Sequence, residues 1–163
     1  MKIAIWMLVS CAVFQTGLPF PIRFKVALLR LFGAQVGEGV VIKPNVNIKY
    51  PWKLSVGNHT WIGEKAWIDN LAQVSIGANC CLSQGCYLLT GNHDYTSATF
   101  DLMAKGIVIE EGSWVGAQST VCPGLTLSQG TVLSVGSVLT NNTEAFGIYQ
   151  GNPAQKVKKR VIK

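Results

Sequence analysis

The sequence predicts an all-β protein, a parallel β-helix of about five triangular coils between a short apolar N-terminal segment and a basic C-terminal tail. The main observation is an aliphatic residue at every sixth position between Val36 and Leu139, a period that neither an α-helix nor a single strand has. Repetition at a fixed short period indicates a solenoid, in which each unit buries its apolar face by stacking on the next. The repeat has five sets of three: Val36, Ile42 and Ile48; Val56, Ile62 and Ile68; Ile76, Leu82 and Leu88; Ile109, Val115 and Val121; Leu127, Leu133 and Leu139.

The interruptions of this period divide the chain into coils. Extra residues occur only after a third repeat, with two before Val56, two before Ile76 and fifteen before Ile109. Three six-residue repeats therefore make one coil. The position two residues before each aliphatic supports this count in the second to fifth coils, because it is large in the first repeat and small in the other two. The large residues are Leu54, Val74, Ile107 and Leu125; the small ones are Thr60, Ala66, Cys80, Cys86, Ser113, Ser119, Thr131 and Ser137.

The length of 163 residues fits one domain with three parts: a cap over 1–35, a β-helix over 36–144 with an excursion over 89–106, and a tail over 145–163. The apolar stretch 3–18 is shorter than the roughly 20 residues of a membrane span, and no small-x-small cleavage site follows it. Residues 23–32 mix basic and apolar side chains. This pattern fits a helix that caps the open end of the β-helix, a helix on a bilayer surface, or both.

Charge and cysteine content narrow the class of protein. Basic residues dominate the last eight positions, and such a tail suits nucleic acid, anionic lipid, a phosphorylated cofactor or solubility alone. The five cysteines form no CxxC pair, and Cys80 and Cys86 occupy small inward positions. They are typical of core residues in a reducing compartment, which predicts a cytoplasmic protein without a disulfide framework or a zinc site.

The chain has two histidines in different settings. His59 lies within a regular repeat and is interpreted as a solvated corner residue. His93 lies where the fifteen-residue excursion begins, and a solenoid has little reason to interrupt itself unless the loop has a function. Imidazole is well suited to accept a proton from a hydroxyl near neutral pH. The excursion is therefore the first place to expect catalysis.

Several segments stand out beside the period: LLRLFGA (28–34), YPW (50–52), WIGE (61–64), WIDNL (67–71), LTGNHDY (89–95) and GIYQGNPA (147–154). Together they resemble the colanic-acid-biosynthesis type of hexapeptide-repeat acetyltransferase over nearly the whole chain. The resemblance implies left-handed coils and a homotrimer with active sites between subunits. It also implies acetyl-CoA as co-substrate, direct transfer of the acetyl group without a covalent enzyme intermediate, and no metal.

The resemblance carries over specific roles. His93 matches the catalytic base, which a carboxylate or a backbone carbonyl must orient. Acceptor binding or orientation is expected of Asp69, Asn70, Asn92, Asp94 and Tyr95. Cofactor binding is expected of Trp114, Ala117, Val135, Thr140, Asn152, Pro153, Lys156, Lys158 and Arg160. The sequence departs from the family pattern in having Gly63, Asn141 and Gln155 where relatives have an asparagine, a lysine and a basic residue.

The leading hypothesis is an acetyl-CoA-dependent O-acetyltransferase that acts on a sugar hydroxyl in surface polysaccharide biosynthesis, on a lipid- or nucleotide-linked acceptor. The basic tail then serves the cofactor, and no nucleic-acid partner is expected. One alternative is a non-enzymatic β-helix scaffold or binding subunit. Another is a metal-dependent enzyme like the γ-class carbonic anhydrases, whose three histidine ligands two histidines cannot readily supply.

Overall fold

Short strands are the main regular elements of the structure, a computed structural model that describes residues 1–162. Helix α1 (Lys2–Val9) continues into a π-helical turn (Ser10–Phe14), α2 (Ile22–Leu31) follows, and a 3₁₀ turn covers Pro51–Lys53. The strands are β1 (Gln35–Val36), β2 (Val41–Ile42), β3 (Asn47–Ile48), β4 (Leu54–Val56), β5 (Trp61–Ile62), β6 (Trp67–Asp69), β7 (Val74–Ile76), β8 (Cys81–Leu82), β9 (Tyr87–Leu89), β10 (Gly91–His93), β11 (Leu102–Ala104), β12 (Ile107–Ile109), β13 (Trp114–Val115), β14 (Thr120–Val121), β15 (Thr126–Leu127), β16 (Val132–Leu133), β17 (Val138–Leu139), β18 (Gly147–Gly151) and β19 (Ala154–Lys159).

Three parallel sheets form the faces of a triangular prism. Face A contains β1, β4, β7, β12 and β15; face B contains β2, β5, β8, β13, β16, β18 and β19; face C contains β3, β6, β9, β14 and β17. Each coil visits the faces in the order A, B, C. The edges where the chain turns from one face to the next are called the AB, BC and CA edges. All pairs are parallel except the hairpins β10–β11 and β18–β19.

The strand register confirms the coil boundaries that the period predicts. On face A, Val36 pairs with Val56, Val56 with Ile76, Ile76 with Ile109, and Ile109 with Leu127. Successive coils therefore begin 20, 20, 33 and 18 residues apart, which is 18 plus the insertions of two, two and fifteen residues. Face B gains a sixth parallel strand, β18, so five complete coils are followed by a partial sixth.

The period-six aliphatics form the core. All fifteen are buried, and Val36, at 8% exposed, is the most accessible of them. Burial of this apolar surface is the main force that stacks the coils. Cys80 and Cys86 are buried among them, as predicted, and burial raises the pKa of the Cys86 thiol to about 12.

The N-terminal helices cap the open end of the prism. The first strand on each face would otherwise leave unpaired carbonyls at a sheet edge. One helix side chain reaches each face: Arg30 Nη2 donates to the Val36 carbonyl (2.6 Å), Lys25 Nζ to the Ile42 carbonyl (3.5 Å), and Trp6 Nε1 to the Ile48 carbonyl (2.8 Å). The capping role predicted for this segment is therefore present. No helix within residues 1–162 is long and apolar enough to span a membrane.

Candidate active site

The excursion after the third coil forms a hairpin on the CA edge. Strands β10 and β11 pair in an antiparallel register that places His93 opposite Leu102. The base of the hairpin is closed by the Lys105 N–H, which donates to the Thr90 carbonyl at 2.9 Å. A Cβ on Gly124, in the next coil, would lie 3.1 Å from the Lys105 side chain. The hairpin therefore projects from the prism while its base rests on the CA edge.

His93 is exposed at the end of β10, and its ring is held by a backbone group. Nδ1 lies 2.6 Å from the Phe100 carbonyl oxygen. Because a carbonyl only accepts, Nδ1 must carry the hydrogen, and the neutral ring then has its free lone pair on Nε2. Phe100 itself has a left-handed backbone (φ +50), which is uncommon outside glycine and asparagine. A neutral imidazole in a fixed tautomer is the form that can accept a proton.

The carboxylates of the excursion stabilise the loop and make no hydrogen bond to the His93 ring. Asp94 accepts from the Thr96 hydroxyl (2.6 Å) and the Thr96 N–H (2.9 Å), which lower its pKa. Asn92 Oδ1 accepts from the His93 N–H at 2.8 Å. Tyr95 is 84% exposed at the tip. The hydrogen-bond partner of the His93 ring is therefore the Phe100 carbonyl and not Asp94.

Asp69 lies at the CA edge, one coil below the start of the hairpin. Its side chain is largely buried and accepts from Lys49 Nζ at 2.8 Å. This hydrogen bond is the main reason that the Lys49 pKa is raised. The second carboxylate oxygen lies 3.9 Å from the position that a Cβ on Gly91 would occupy. The Asp69–Lys49 pair thus lies beneath the strand that carries His93.

Asn70 is fully buried, and its side chain is committed to the backbone. Its Oδ1 accepts from the Tyr50 N–H (2.9 Å), and its Nδ2 donates to the carbonyls of Tyr50 (2.6 Å) and Lys53 (3.0 Å). Both amide hydrogens are therefore used. This placement corrects the acceptor contact predicted for Asn70, which instead fixes the short insertion at the corner of the first coil.

A groove of about 340 Å³ runs along the BC edge at the height of the third to fifth coils. It brings together three of the residues predicted to bind the cofactor, Trp114, Ala117 and Val135. Trp114 is 47% exposed, and its Nε1 donates to Ser83 Oγ at 2.8 Å, which fixes the indole against the groove. Gly116 leaves no space for a side chain, since a Cβ there would lie 2.6 Å from the Leu133 carbonyl oxygen.

The groove also offers unpaired backbone donors. Within residues 1–162, the N–H groups of Ala117 and Val135 donate to no other group. Val135 is 70% exposed and lines the groove together with Ala117. An exposed column of main-chain amides suits a ligand that carries amide carbonyls.

The C-terminal hairpin places its turn, with Asn152 and Pro153, above the BC edge, because the Gly151 N–H donates to Ser137 Oγ at 3.1 Å. Lys156 pairs with Glu144 at 2.5 Å, and this hydrogen bond raises its pKa. Lys158 lies on the same hairpin and is exposed.

Two predicted cofactor residues lie away from the groove. Arg160 donates from Nη1 to the carbonyls of Gly112 (2.7 Å) and Gly130 (3.1 Å), both at the AB edge. This corrects the phosphate contact predicted for Arg160, because its guanidinium holds two corners of the prism. Thr140 is exposed at the CA edge of the fifth coil, on the side of His93.

The groove and His93 lie on different edges of one chain. Face C separates the BC edge from the CA edge, and its six residues per coil span up to roughly 20 Å at about 3.3 Å per residue. Within one chain, the groove and the His93 hairpin therefore lie at opposite ends of face C.

His59 is exposed at the AB edge with a left-handed backbone (φ +56), in agreement with its interpretation as a corner residue. It is remote from the hairpin that carries His93. Among the described residues 1–162, no three His, Cys, Asp or Glu side chains lie close enough together to hold a metal ion.

Comparison with known proteins identifies the class first. No protein-family model matches the chain. Among solved structures, a hexapeptide-repeat-containing acetyltransferase from Vibrio cholerae matches with a TM-score of 0.88 and 20% identity over 97% of this chain and 90% of that one. A galactoside acetyltransferase in complex with coenzyme A matches with a TM-score of 0.87 and 20% identity, covering 97% and 80% of the two chains. The fold is thus the left-handed parallel β-helix of the hexapeptide-repeat acetyltransferases.

Sequence comparison then gives the family. The putative colanic acid biosynthesis acetyltransferase WcaF of Escherichia coli (strain K12) is 39% identical over 160 residues, 98% of this chain and 88% of the relative. The galactoside O-acetyltransferase of the same organism is 22% identical over 143 residues, 86% of this chain and 70% of the relative. The chain belongs to the WcaF family of acetyltransferases.

Two features of the site were not foreseen. The first is the hydrogen bond between His93 and the Phe100 carbonyl. It uses a backbone group, so no residue type in the sequence indicates where it forms. The Lys49–Asp69 pair did leave a signal, because the two residues lie 20 positions apart, which is the spacing of vertical neighbours in the first coils. Stacking of Trp67 on Tyr87 (ring centroids 4.9 Å apart) follows the same spacing on face C.

Proposed function

We propose that the protein is an acetyl-CoA-dependent O-acetyltransferase that acetylates a sugar hydroxyl during surface polysaccharide assembly, with His93 as general base. The observation that carries this proposal is the contact between His93 Nδ1 and the Phe100 carbonyl, which leaves Nε2 free to accept a proton. Membership of the WcaF family and the acetyltransferase names of its relatives support the reaction class.

In the proposed reaction, His93 Nε2 takes the proton of the acceptor hydroxyl as its oxygen attacks the thioester carbonyl carbon. The resulting tetrahedral intermediate collapses with cleavage of the carbon–sulfur bond. The imidazolium then returns its proton to the coenzyme A thiolate. Acetyl ester and coenzyme A are the products, and no covalent enzyme intermediate or metal is needed.

Acetyl-CoA is proposed to lie in the BC groove. Its pantetheine arm carries amide carbonyls, which the free N–H groups of Ala117 and Val135 can bind, while the Trp114 indole covers the arm. A hexapeptide-repeat acetyltransferase of this fold from Vibrio cholerae was solved in complex with acetyl-CoA. It matches with a TM-score of 0.82 and 19% identity over 90% of this chain and 81% of that one, which supports the proposed fit. Lys158 is exposed on β19, opposite Ile148, and is proposed to bind phosphate.

A homotrimer is proposed because the two halves of the site lie at the two ends of face C. When face C of each subunit faces a threefold axis, the BC edge of one subunit meets the CA edge of the next. Rotation about an axis parallel to the prism leaves each residue at the same height along that axis. The hairpin leaves between the third and fourth coils, and the groove spans the third to fifth coils, so His93 and the groove meet at one level.

The outward residues of the faces support this arrangement. Face C presents the stacked pair Trp67 and Tyr87, whereas the outward positions of face A include Ser55, Ser75 and Thr126 beside the exposed Val108. Aromatic surface is enriched in subunit contacts, and small polar residues suit solvent.

The acceptor is proposed to bind between the hairpin and the Asp69–Lys49 pair, with Asn92, Asp94 and Tyr95 on the hairpin side. The five free cysteines favour a cytoplasmic location.

The test compares two histidine variants. His93→Asn should lower the rate of coenzyme A release, in the presence of acetyl-CoA and a panel of nucleotide-linked and lipid-linked sugars, by about 10²- to 10⁴-fold. His59→Asn is the matched control, because asparagine tolerates the left-handed backbone of that corner and should leave turnover intact. Both should bind acetyl-CoA in calorimetry. Full turnover by His93→Asn would refute the general base, and no acetyl-CoA binding by the wild type would favour a scaffold.

A further inference from the structure

The cap at the base of the prism exposes an apolar surface that the β-helix does not use. Within the N-terminal helical segment, the π-helical turn and α2, large apolar side chains face outward, including Leu8 (74% exposed), Met7 (64%) and Leu31 (78%). Trp6, Phe14 and Leu29 are the side chains that pack inward on the core. The remaining members of this basal patch are Ile3, Ile5, Leu18, Ile22 and Phe24.

The charge of the protein is concentrated at the same end. Seven of the fourteen basic residues and one of the eight acidic residues lie in residues 1–53, whereas residues 54–163 contain seven of each. The net charge of +6 thus comes entirely from the capped end, although Lys49 is paired with Asp69 of the second coil and Lys25 is buried beneath the cap. The basic residues are Lys2, Arg23, Lys25, Arg30, Lys43, Lys49 and Lys53, and the first acidic residue of the chain is Glu38.

We propose that the basal patch docks on an anionic phospholipid bilayer. An exposed apolar surface surrounded by positive charge matches the two requirements of an interfacial helix, namely apolar burial at the headgroup boundary and attraction to anionic lipid. Lys2 and Arg23 are exposed on the cap itself, so they act within a Debye length of about 8–10 Å of a bilayer that the cap contacts.

The trimer proposed above would strengthen the contact. Rotation about an axis parallel to the prism places all three caps on one side of the assembly. Three weak contacts with one surface then act together, because the second and third bind at high effective concentration. The active sites, which lie between the third and fifth coils, would stand about 20–30 Å above the bilayer, since two to four coil steps of about 4.8 Å add to a helical cap about 10 Å thick. An acceptor that is anchored in the same membrane would fall within reach.

Co-sedimentation of the full chain with vesicles tests the proposal. Wild-type protein should bind phosphatidylglycerol–phosphatidylethanolamine vesicles at least about tenfold more strongly than phosphatidylcholine vesicles, and 0.5 M salt (roughly a 4 Å Debye length) should weaken this binding. The double variant Leu8→Glu/Leu31→Glu should lose at least about tenfold in partition coefficient. Val161→Glu is the matched control, because Val161 is 84% exposed in the C-terminal tail.

Three results would overturn the proposal. The first is equal binding to anionic and zwitterionic vesicles, and the second is wild-type binding by the double variant. The third is dissociation of the oligomer by the double variant in size-exclusion chromatography, which would assign the patch to a contact between copies of this chain. His93→Asn should bind vesicles like the wild type, so failure of membrane docking and failure of the proposed chemistry are read separately.

Discussion

Two inactive variants should restore activity when they are mixed, if the active site lies between subunits. His93→Asn removes the base on the CA edge, and Val135→Trp fills the groove on the BC edge. Val135 is 70% exposed, so the larger side chain extends into the groove of about 340 Å³ without displacing the core. Each variant assembled alone has every site damaged.

The expected gain follows from the separation of His93 and the groove on opposite ends of face C. A working site needs a His93 from a Val135→Trp chain and a groove from a His93→Asn chain. In a trimer that contains both variants, only one of the three subunit boundaries joins an intact groove to an intact His93, so about one third of the sites are intact. We therefore expect about 33% of wild-type turnover from the isolated mixed trimers of two variants that each show almost none.

The assay is coenzyme A release after the two variants, which carry different affinity tags, are co-expressed and the doubly tagged trimers are isolated. A mixture of His93→Asn with wild type is the calibration, since about half of its sites should work. Isolated mixed trimers without activity would refute the shared site and would place the base and the groove within one subunit. Activity of either variant alone would show that the residue is not required.

Two further predictions concern stability. Asn70→Ala removes three hydrogen bonds and leaves the part-buried Tyr50 N–H and Lys53 carbonyl without this partner, while the Tyr50 carbonyl keeps the Lys53 N–H. The loss should cost about 2–4 kcal/mol in urea unfolding, and a loss below about 0.5 kcal/mol would contradict this. Burial raises the pKa of Cys86 to about 12 in the native state, whereas the unfolded chain loses this proton near pH 9.0. The free energy of unfolding should therefore fall between these two pH values, by up to about 1.4 kcal/mol per pH unit. Cys86→Ser should flatten that pH dependence, since Ser119 occupies the equivalent small position one coil away; an unchanged slope would assign it to other groups.

The repeat could be predicted from the sequence because burial acts on every coil in the same way. Each inward aliphatic sits in the same environment as its neighbours 18 or 20 residues away, so the period and its insertions determine the register without further information. The excursion could be located for the same reason. Its position between Leu88 and Ile109 marks the CA edge of the third coil as soon as the faces are counted.

The partners of individual polar residues could not be predicted, because one side-chain type serves several purposes. A buried asparagine such as Asn70 can bind a sugar or replace a backbone turn, and an arginine such as Arg160 can bind phosphate or carbonyls. Only the geometry distinguishes these uses. The Phe100 carbonyl that orients His93 depends on the path of the loop, which composition does not determine. The positions of His93 and the groove on two different edges could be recognised only after the strands had been assigned to faces.

The repeat also determines how the proposed cofactor must lie. Each coil adds about 4.8 Å, so the groove from Ser83 through Ala117 to Val135 covers two coil steps, or roughly 10 Å along the prism axis. His93 enters at the lower end of this interval, and the hairpin that carries Lys158 closes the upper end. An extended arm with a reactive thioester at one end and phosphates at the other therefore fits in one direction, with its sulfur toward the third coil. The reverse direction would place the phosphates beside the carboxylates of the excursion, where like charges repel.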